Sequence, residues 1–120
     1  MRCLITLLLL AGAAAVAAPS RDAAVAASRE ARWSDARVLW EDYLRANPDD
    51  ALGVAELGWT EMELGRASDA KREFNRALRL KPGLVRAYEG LVSLSLRQFR
   101  YDEAIDVASS MAVANPKSAV

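Results

Sequence analysis

Side chains able to do covalent or acid–base chemistry are scarce in this chain of 120 residues. It contains no histidine, which removes the imidazole base, the Ser–His and Cys–His nucleophile pairs and any histidine metal site. The one cysteine, Cys3, stands near the very start. Ser68-Asp69-Ala70-Lys71 has the Ser-x-x-Lys spacing that can set a hydroxyl beside an amine base, but no Ser-Asp-Asn or Lys-Thr-Gly string accompanies it. Ser68 is instead expected to cap a helix. The carboxylate pairs Glu61 with Glu63 and Asp49 with Asp50 read as solvated faces and caps, and no glycine-rich phosphate loop occurs. The reading is of a chain that is not an enzyme and holds no cofactor or metal, so that function becomes a question of surface.

The elements that position that surface begin after a distinct leader. Met1-Arg2 gives a positive start, Leu4 to Ala18 is an uncharged apolar run, and Ala15-Val16-Ala17 fits a small-x-small cleavage pattern. Residues 1–17 therefore read as a signal peptide cleaved after Ala17. The alternative, a retained anchor, meets the objection that the apolar run is shorter than the ~18–20 residues a spanning helix needs. No membrane span is expected after cleavage, and the expected location is periplasmic or secreted. Without the leader the chain has neither Cys nor His, so it can enter an oxidising compartment and must be stabilised by packing alone. The full sequence balances 16 basic against 16 acidic residues. No global field exists to draw in nucleic acid or anionic lipid.

Beyond the leader the chain repeats. Pro48, Pro82 and Pro116 recur every 34 residues, and the same offset relates Ala36, Ala70 and Ala104, Trp40 and Phe74, Leu57 and Leu91, and Trp33 and Tyr101. A period of this size implies one helical hairpin per repeat, which cannot bury its own apolar face and must stack on its neighbours. Each proline closes a helix and biases its predecessor away from the helical region. Front helices are predicted near 20–30, 51–64 and 85–98, and back helices near 35–46, 68–80 and 102–114. Asp49 or Asp50, Ser34, Ser68 and Asp102 stand where an N-cap oxygen would satisfy orphan amides. Val54, Leu57, Gly58 and Glu61 share one face of a front helix, while Ala70, Phe74, Ala77 and Leu78 make a stripe on a back helix. Small residues allow the helices to approach, with Trp40 and Phe74 inserted beside them. Trp40 and Tyr43 thus belong to the core.

These residues resemble the tetratricopeptide repeat. The second copy carries most of the pattern, in Val54, Leu57, Gly58, Gly65, Ala70, Phe74, Ala77 and Pro82. The third supplies Tyr88, Leu91, Tyr101 to Ile105, Met111 and Pro116, and departs at Val92, Phe99 and Ala108, where Gly, Gly and an aromatic are commoner. The first is clear in Trp33, Asp35, Ala36, Trp40 and Pro48. The resemblance implies an all-α, right-handed superhelical array of about three helix–turn–helix repeats over 18–120, with repeats at about 17–50, 51–84 and 85–118.

The resemblance also implies where to look for a partner, in a concave groove lined by the front helices. The groove positions fall on Arg21, Val25, Ser28 and Arg29, then Leu52, Ala55, Trp59, Met62 and Glu63, then Arg86, Glu89, Ser93, Leu96 and Arg97. Trp59, Met62 and Leu96 are expected to form an adaptable apolar floor beside Leu52. Arg86 and Arg97, with Arg29, are expected to be placed for a carboxylate or a peptide carbonyl. The competing role for Trp59 is packing against the next front helix. Family members that clamp a chaperone's terminal carboxylate use Lys and Asn where this chain has Arg21, Val25 and Trp59, so that clamp is not expected here. The implied function is a non-catalytic adaptor or scaffold of the bacterial cell envelope that binds a protein or peptide. The last back helix, with Ala104, Ile105, Ala108, Met111, Ala112 and Val113, offers a second apolar face. It allows a self-associating structural subunit, docking on another protein, or continuation of a longer array. An accessory domain of a larger envelope enzyme or export machine is the remaining alternative.

Overall fold

The computed structural model describes residues 20–118, and the expected leader, 1–17, lies outside them. Among the described residues the regular structure is helical: α1 (Arg21–Arg29), α2 (Trp33–Ala46), α3 (Ala51–Glu63), α4 (Ala67–Leu80), α5 (Val85–Arg97), α6 (Tyr101–Ala114) and a closing 3-10 turn, Pro116–Ser118. Each front helix packs on its own back helix, and α3 and α5 also pack on the back helix of the preceding pair. The front helices α3 and α5 touch one another as well. Pro48 and Pro82 lie in the links between pairs and Pro116 opens the closing turn, so the prolines stand at equivalent corners.

Helix starts differ from expectation. Asp50 does cap α3, its Oδ1 accepting from the Gly53 amide at 3.0 Å. Ser34, Ser68 and Asp102, however, lie inside the back helices, whose N-caps are Arg32, Arg66 and Arg100 with no side-chain cap bond. The cause is the tight turn within each pair. Residues 31, 65 and 99 sit in the left-handed region, with φ of 55° at Ala31, 76° at Gly65 and 59° at Phe99. That geometry sends the next amide back to the front helix: Arg32 donates to the Ala27 carbonyl at 2.9 Å, Arg66 to Glu61 at 2.8 Å and Arg100 to Ser95 at 2.9 Å. The back helix then starts at once, with its N-cap two residues before the expected one. Each arginine also reaches one turn ahead, Arg32 to Asp35 at 3.1 Å, Arg66 to Asp69 at 3.0 Å and Arg100 to Glu103 at 3.5 Å.

Two clusters form the core. Trp40, 1% exposed, fills the first with Leu44, Val54 and Leu57 among buried alanines, and Phe74, 0% exposed, fills the second with Met62, Ala70, Leu91 and Leu94. Two glycines explain how Phe74 fits. A Cβ on Gly58 would lie 2.7 Å from its ring, and one on Gly90 would lie closer still, so α3 and α5 both close on the same ring. Glu61, expected on the packing face of α3, is buried there at 4% exposure. Its charge is met by Arg37 Nε at 2.9 Å and Arg66 Nε at 2.7 Å. The Arg66 N–H is aimed at Asp69, so it holds Glu61 Oε2 by charge without a hydrogen bond.

Candidate functional site

The front helices bound a groove of about 410 Å³ whose walls include Arg21, Val25, Ser28 and Arg29 of α1, Leu52, Glu56, Trp59 and Glu63 of α3, and Arg86 of α5. Trp33 and Trp40 of α2 close its base. Trp40 is fixed by donating its indole N–H to Ser28 Oγ at 3.0 Å and by Tyr43, edge-on with ring centroids 6.0 Å apart. Tyr43 in turn donates its hydroxyl to Asp50 Oδ2 at 2.7 Å, which Arg21 Nε also reaches at 3.1 Å. Burial pushes the Asp50 carboxyl up, but the Gly53 amide, the Tyr43 hydroxyl and the Arg21 guanidinium outweigh it and hold it below the usual aspartate range.

Trp59 is the best-fixed side chain of the groove. Half-buried, it meets the Phe74 ring edge-on at 6.0 Å and donates its indole N–H to the Arg86 carbonyl at 3.2 Å. Arg86 folds back over the indole, its guanidinium carbon 4.1 Å from the ring centroid. Glu56 holds that guanidinium with two oxygens, at 2.7 and 3.3 Å. A charge stacked on an aromatic face and gripped bidentately is immobilised. Trp59 thus packs against the next front helix and lines the groove as well.

The structure brings Leu52, Trp59, Arg86 and Arg29 together, and places the other expected site residues elsewhere. Met62 is 4% exposed and belongs to the second core cluster, because it sits one turn beyond Gly58 on the face that meets Phe74. It supplies no floor. Leu96 is 48% exposed but lies outside the groove wall, toward the far end of α5. Arg97 is paired with Glu63 at 2.6 Å, as Arg86 is with Glu56, so neither stands ready for an incoming carboxylate. Arg29 is the groove cation that makes no ion pair among the described residues. Glu56, which sets Arg86, was not singled out by the sequence reading; its signal is the i, i+3 spacing from Trp59.

Among the described residues no cluster of His, Cys, Asp and Glu could hold a metal ion, and no helix is long and apolar enough to cross a membrane. Asp69 and Glu103 titrate below their usual ranges, the first held by Arg66 and the second by Lys71, both as members of exposed ion pairs.

Searched against curated proteins, the sequence matches none. Solved structures do match. The TPR domain of Arabidopsis OM64 superposes with a TM-score of 0.74 at 20% identity, covering 81% of this chain and 80% of that one. The TPR2B domain of yeast Sti1, solved in a complex with pHsp70, gives 0.75 at 18% identity, over 81% and 78%. MamA gives 0.72 at 20% identity over 80% of this chain and 56% of its own length. At these identities the likeness is one of fold. The family model for the tetratricopeptide repeat matches residues 21–84 and again 55–119. With stacked helical hairpins, matching landmarks and a family match over nearly all the described residues, the chain belongs to the tetratricopeptide repeat family.

Proposed function

We propose that this protein is a non-catalytic adaptor that receives a segment of a protein partner in the groove between α1, α3 and α5. The observation that carries the reading is the built wall at Trp59. Its indole and the Arg86 guanidinium are held in place before any partner arrives, so little side-chain entropy is lost on binding. Beside them Leu52, 39% exposed, and Val25 supply apolar area, and Arg29 supplies a cation that is not already paired. The favoured ligand is a segment with an apolar side chain laid on Leu52, Val25 and the indole edge, and a carboxylate near Arg29. The complex of the Sti1 domain with pHsp70 supports this use of the fold. The leader reading adds export: the adaptor acts in the periplasm or outside the cell, as a right-handed array of three repeats over 18–120.

Co-purification from the native compartment tests the proposal. Leu52→Glu and Arg29→Glu change exposed side chains, so both should stay folded. Each should lower recovery of the partner fivefold or more, corresponding to ~1 kcal/mol or more at an interface anchor. Asn75→Glu, on the back helix α4, should not. Undiminished recovery with both groove variants would remove the groove from the account.

A further inference from the structure

The hydrogen-bond donors that line the groove fall into two sets. Most are spent within the molecule: Arg21 on Asp50, Arg86 on Glu56, the Trp59 indole on the Arg86 carbonyl and the Thr60 hydroxyl on the Glu56 carbonyl at 2.9 Å. Three are not, and they stand close in the chain. Ser28 and Arg29 end α1 and Trp33 opens α2, on the two sides of the tight turn through Ala31, and all three line the groove.

Ser28 owes its unspent proton to Trp40. The Trp40 indole, 1% exposed, can only donate, so at 3.0 Å from Ser28 Oγ it makes that oxygen the acceptor. The Ser28 hydroxyl must then give its own hydrogen elsewhere. Thr60 and Ser110 give theirs to the carbonyl four residues back, at 2.9 and 3.0 Å, whereas Ser28 makes no such bond among the described residues. The Trp33 indole N–H likewise has no acceptor there, unlike those of Trp40 and Trp59. Arg29 lacks a carboxylate because the two neighbours that could serve are taken: Glu30 holds Arg32 at 2.7 Å, and Glu63, its counterpart on α3, holds Arg97 at 2.6 Å. A hydroxyl, a guanidinium and an indole N–H, each with a hydrogen to give, call for a group that only accepts and carries negative charge.

We propose that Ser28, Arg29 and Trp33 together hold one carboxylate of the bound segment, from an acidic side chain or a chain end. The inference rests on the groove reading and names what fixes the segment there. Val25 lies one helical turn before Arg29, about 6 Å along the axis. In an extended segment, side chains two residues apart share a side and stand about 6.6 Å from one another. An apolar side chain over Val25 therefore sets a carboxylate two positions away at the three donors. Trp40 is a positioning residue, since its N–H occupies the Ser28 oxygen and leaves the Ser28 proton for the ligand.

The test is a titration of the 15N-labelled protein with the peptide Ac-Leu-Ala-Glu-NH2 and with its neutral isostere Ac-Leu-Ala-Gln-NH2, read on the tryptophan indole N–H signals by NMR. The glutamate peptide should bind at least fivefold more tightly, and should move the Trp33 signal downfield by more than it moves that of Trp59, already bonded to the Arg86 carbonyl. Trp33→Phe and Arg29→Gln remove no bond found within the molecule. Each should weaken the glutamate peptide threefold or more and leave the glutamine peptide unchanged. Ser28→Thr, which keeps the hydroxyl, should retain the preference, and Ser28→Ala should lose it. Should Ser28→Ala unfold in circular dichroism for want of the Trp40 acceptor, the other two variants still decide. Ac-Leu-Ala-Ala with a free terminal carboxylate, compared with the glutamate peptide, tells a chain end from a side chain as the source. Equal binding of the glutamate and glutamine peptides, no binding up to millimolar concentration, or a preference that survives both Trp33→Phe and Arg29→Gln would overturn the proposal. If Leu52→Glu still lowers recovery of the native partner, the groove reading stands without it. Indifference of both peptides to Leu52→Glu would count against the groove itself and remove both.

Discussion

Replacing Gly90 by alanine separates local helix preference from the stacking of successive hairpins. Gly90 lies within α5, where alanine is favoured over glycine by about 1 kcal/mol on propensity alone. The structure predicts the opposite sign. A Cβ at Gly90 would stand 2.3 Å from both Cε1 and Cζ of Phe74, and 2.8 Å from Cδ1. To restore an ordinary contact near 3.5 Å, the ring or α5 must move by about 1 Å. The ring has little room to retreat, because it is fully buried and α3 also packs closely on it through Gly58. Overpacking of this kind costs ~1–3 kcal/mol, and with the ring so close the upper end applies, so after the propensity gain a net loss approaching ~2 kcal/mol is expected. Gly58→Ala, whose Cβ would stand 2.7 Å from the ring, should lose less. Urea unfolding followed by circular dichroism reads the difference, with Phe74→Leu as the partner in a double-mutant cycle. In the leucine background Gly90→Ala should become neutral or stabilising. Stabilisation of the wild-type background by Gly90→Ala would refute the claim that Phe74 is the peg joining the second pair to the third.

Phe99→Gly removes an L side chain from φ 59° and takes a side chain 76% exposed off the surface; it should raise stability by ~1 kcal/mol in a denaturant melt. A loss would show that the Phe99 side chain is a structural support. Asp50→Asn keeps a cap oxygen and removes the charge that Gly53, Tyr43 and Arg21 stabilise. Because the folded carboxyl titrates below its unfolded value, its contribution is complete above about pH 4 and is lost as pH falls through the folded value. The stability gap between wild type and Asp50→Asn, of order 1 kcal/mol at pH 7, should therefore close as pH falls below about 4. A gap independent of pH would contradict the ion-pair assignment. For the leader, intact-mass analysis of protein recovered from a bacterial periplasm should give a chain starting at Ala18. A mass that retains residues 1–17 would point to an anchor.

Much of the fold was legible because stacking imposes a period on residue types. The prolines mark corners, the alanines mark close helix contacts, and Trp40 and Phe74 mark the large core pegs, all at one offset. What escaped depends on backbone geometry that residue type contradicts. Gly65 announces a left-handed turn, but Ala31 and Phe99 adopt it without that signal, and the misplaced caps at Ser34 and Asp102 follow from that; Ser68 was misplaced although Gly65 carries the signal. The groove was located by position and less well by chemistry. Met62 looked available until its place one turn from Gly58 is considered, and that spacing is in the sequence. The pairing of Arg86 with Glu56 and of Arg97 with Glu63 spans 30 and 34 residues. The second is an opposite-charge pair at the repeat period, a readable signal. The first needs the crossing of α3 and α5. The departures at Val92 and Ala108 form a compensating set: a larger residue on the front helix where the back helix has a smaller one.

The central claim is that the front helices present a prebuilt groove to a partner. A photoreactive benzoylphenylalanine at Leu52, exposed on the groove wall, tests it in the native compartment without disturbing Trp59 or Arg86. The account predicts one dominant crosslinked protein from position 52, suppressed by Arg29→Glu and absent when the probe sits at Asn75. The same adducts from both positions, or none from position 52 in cells where the protein is functional, would contradict it.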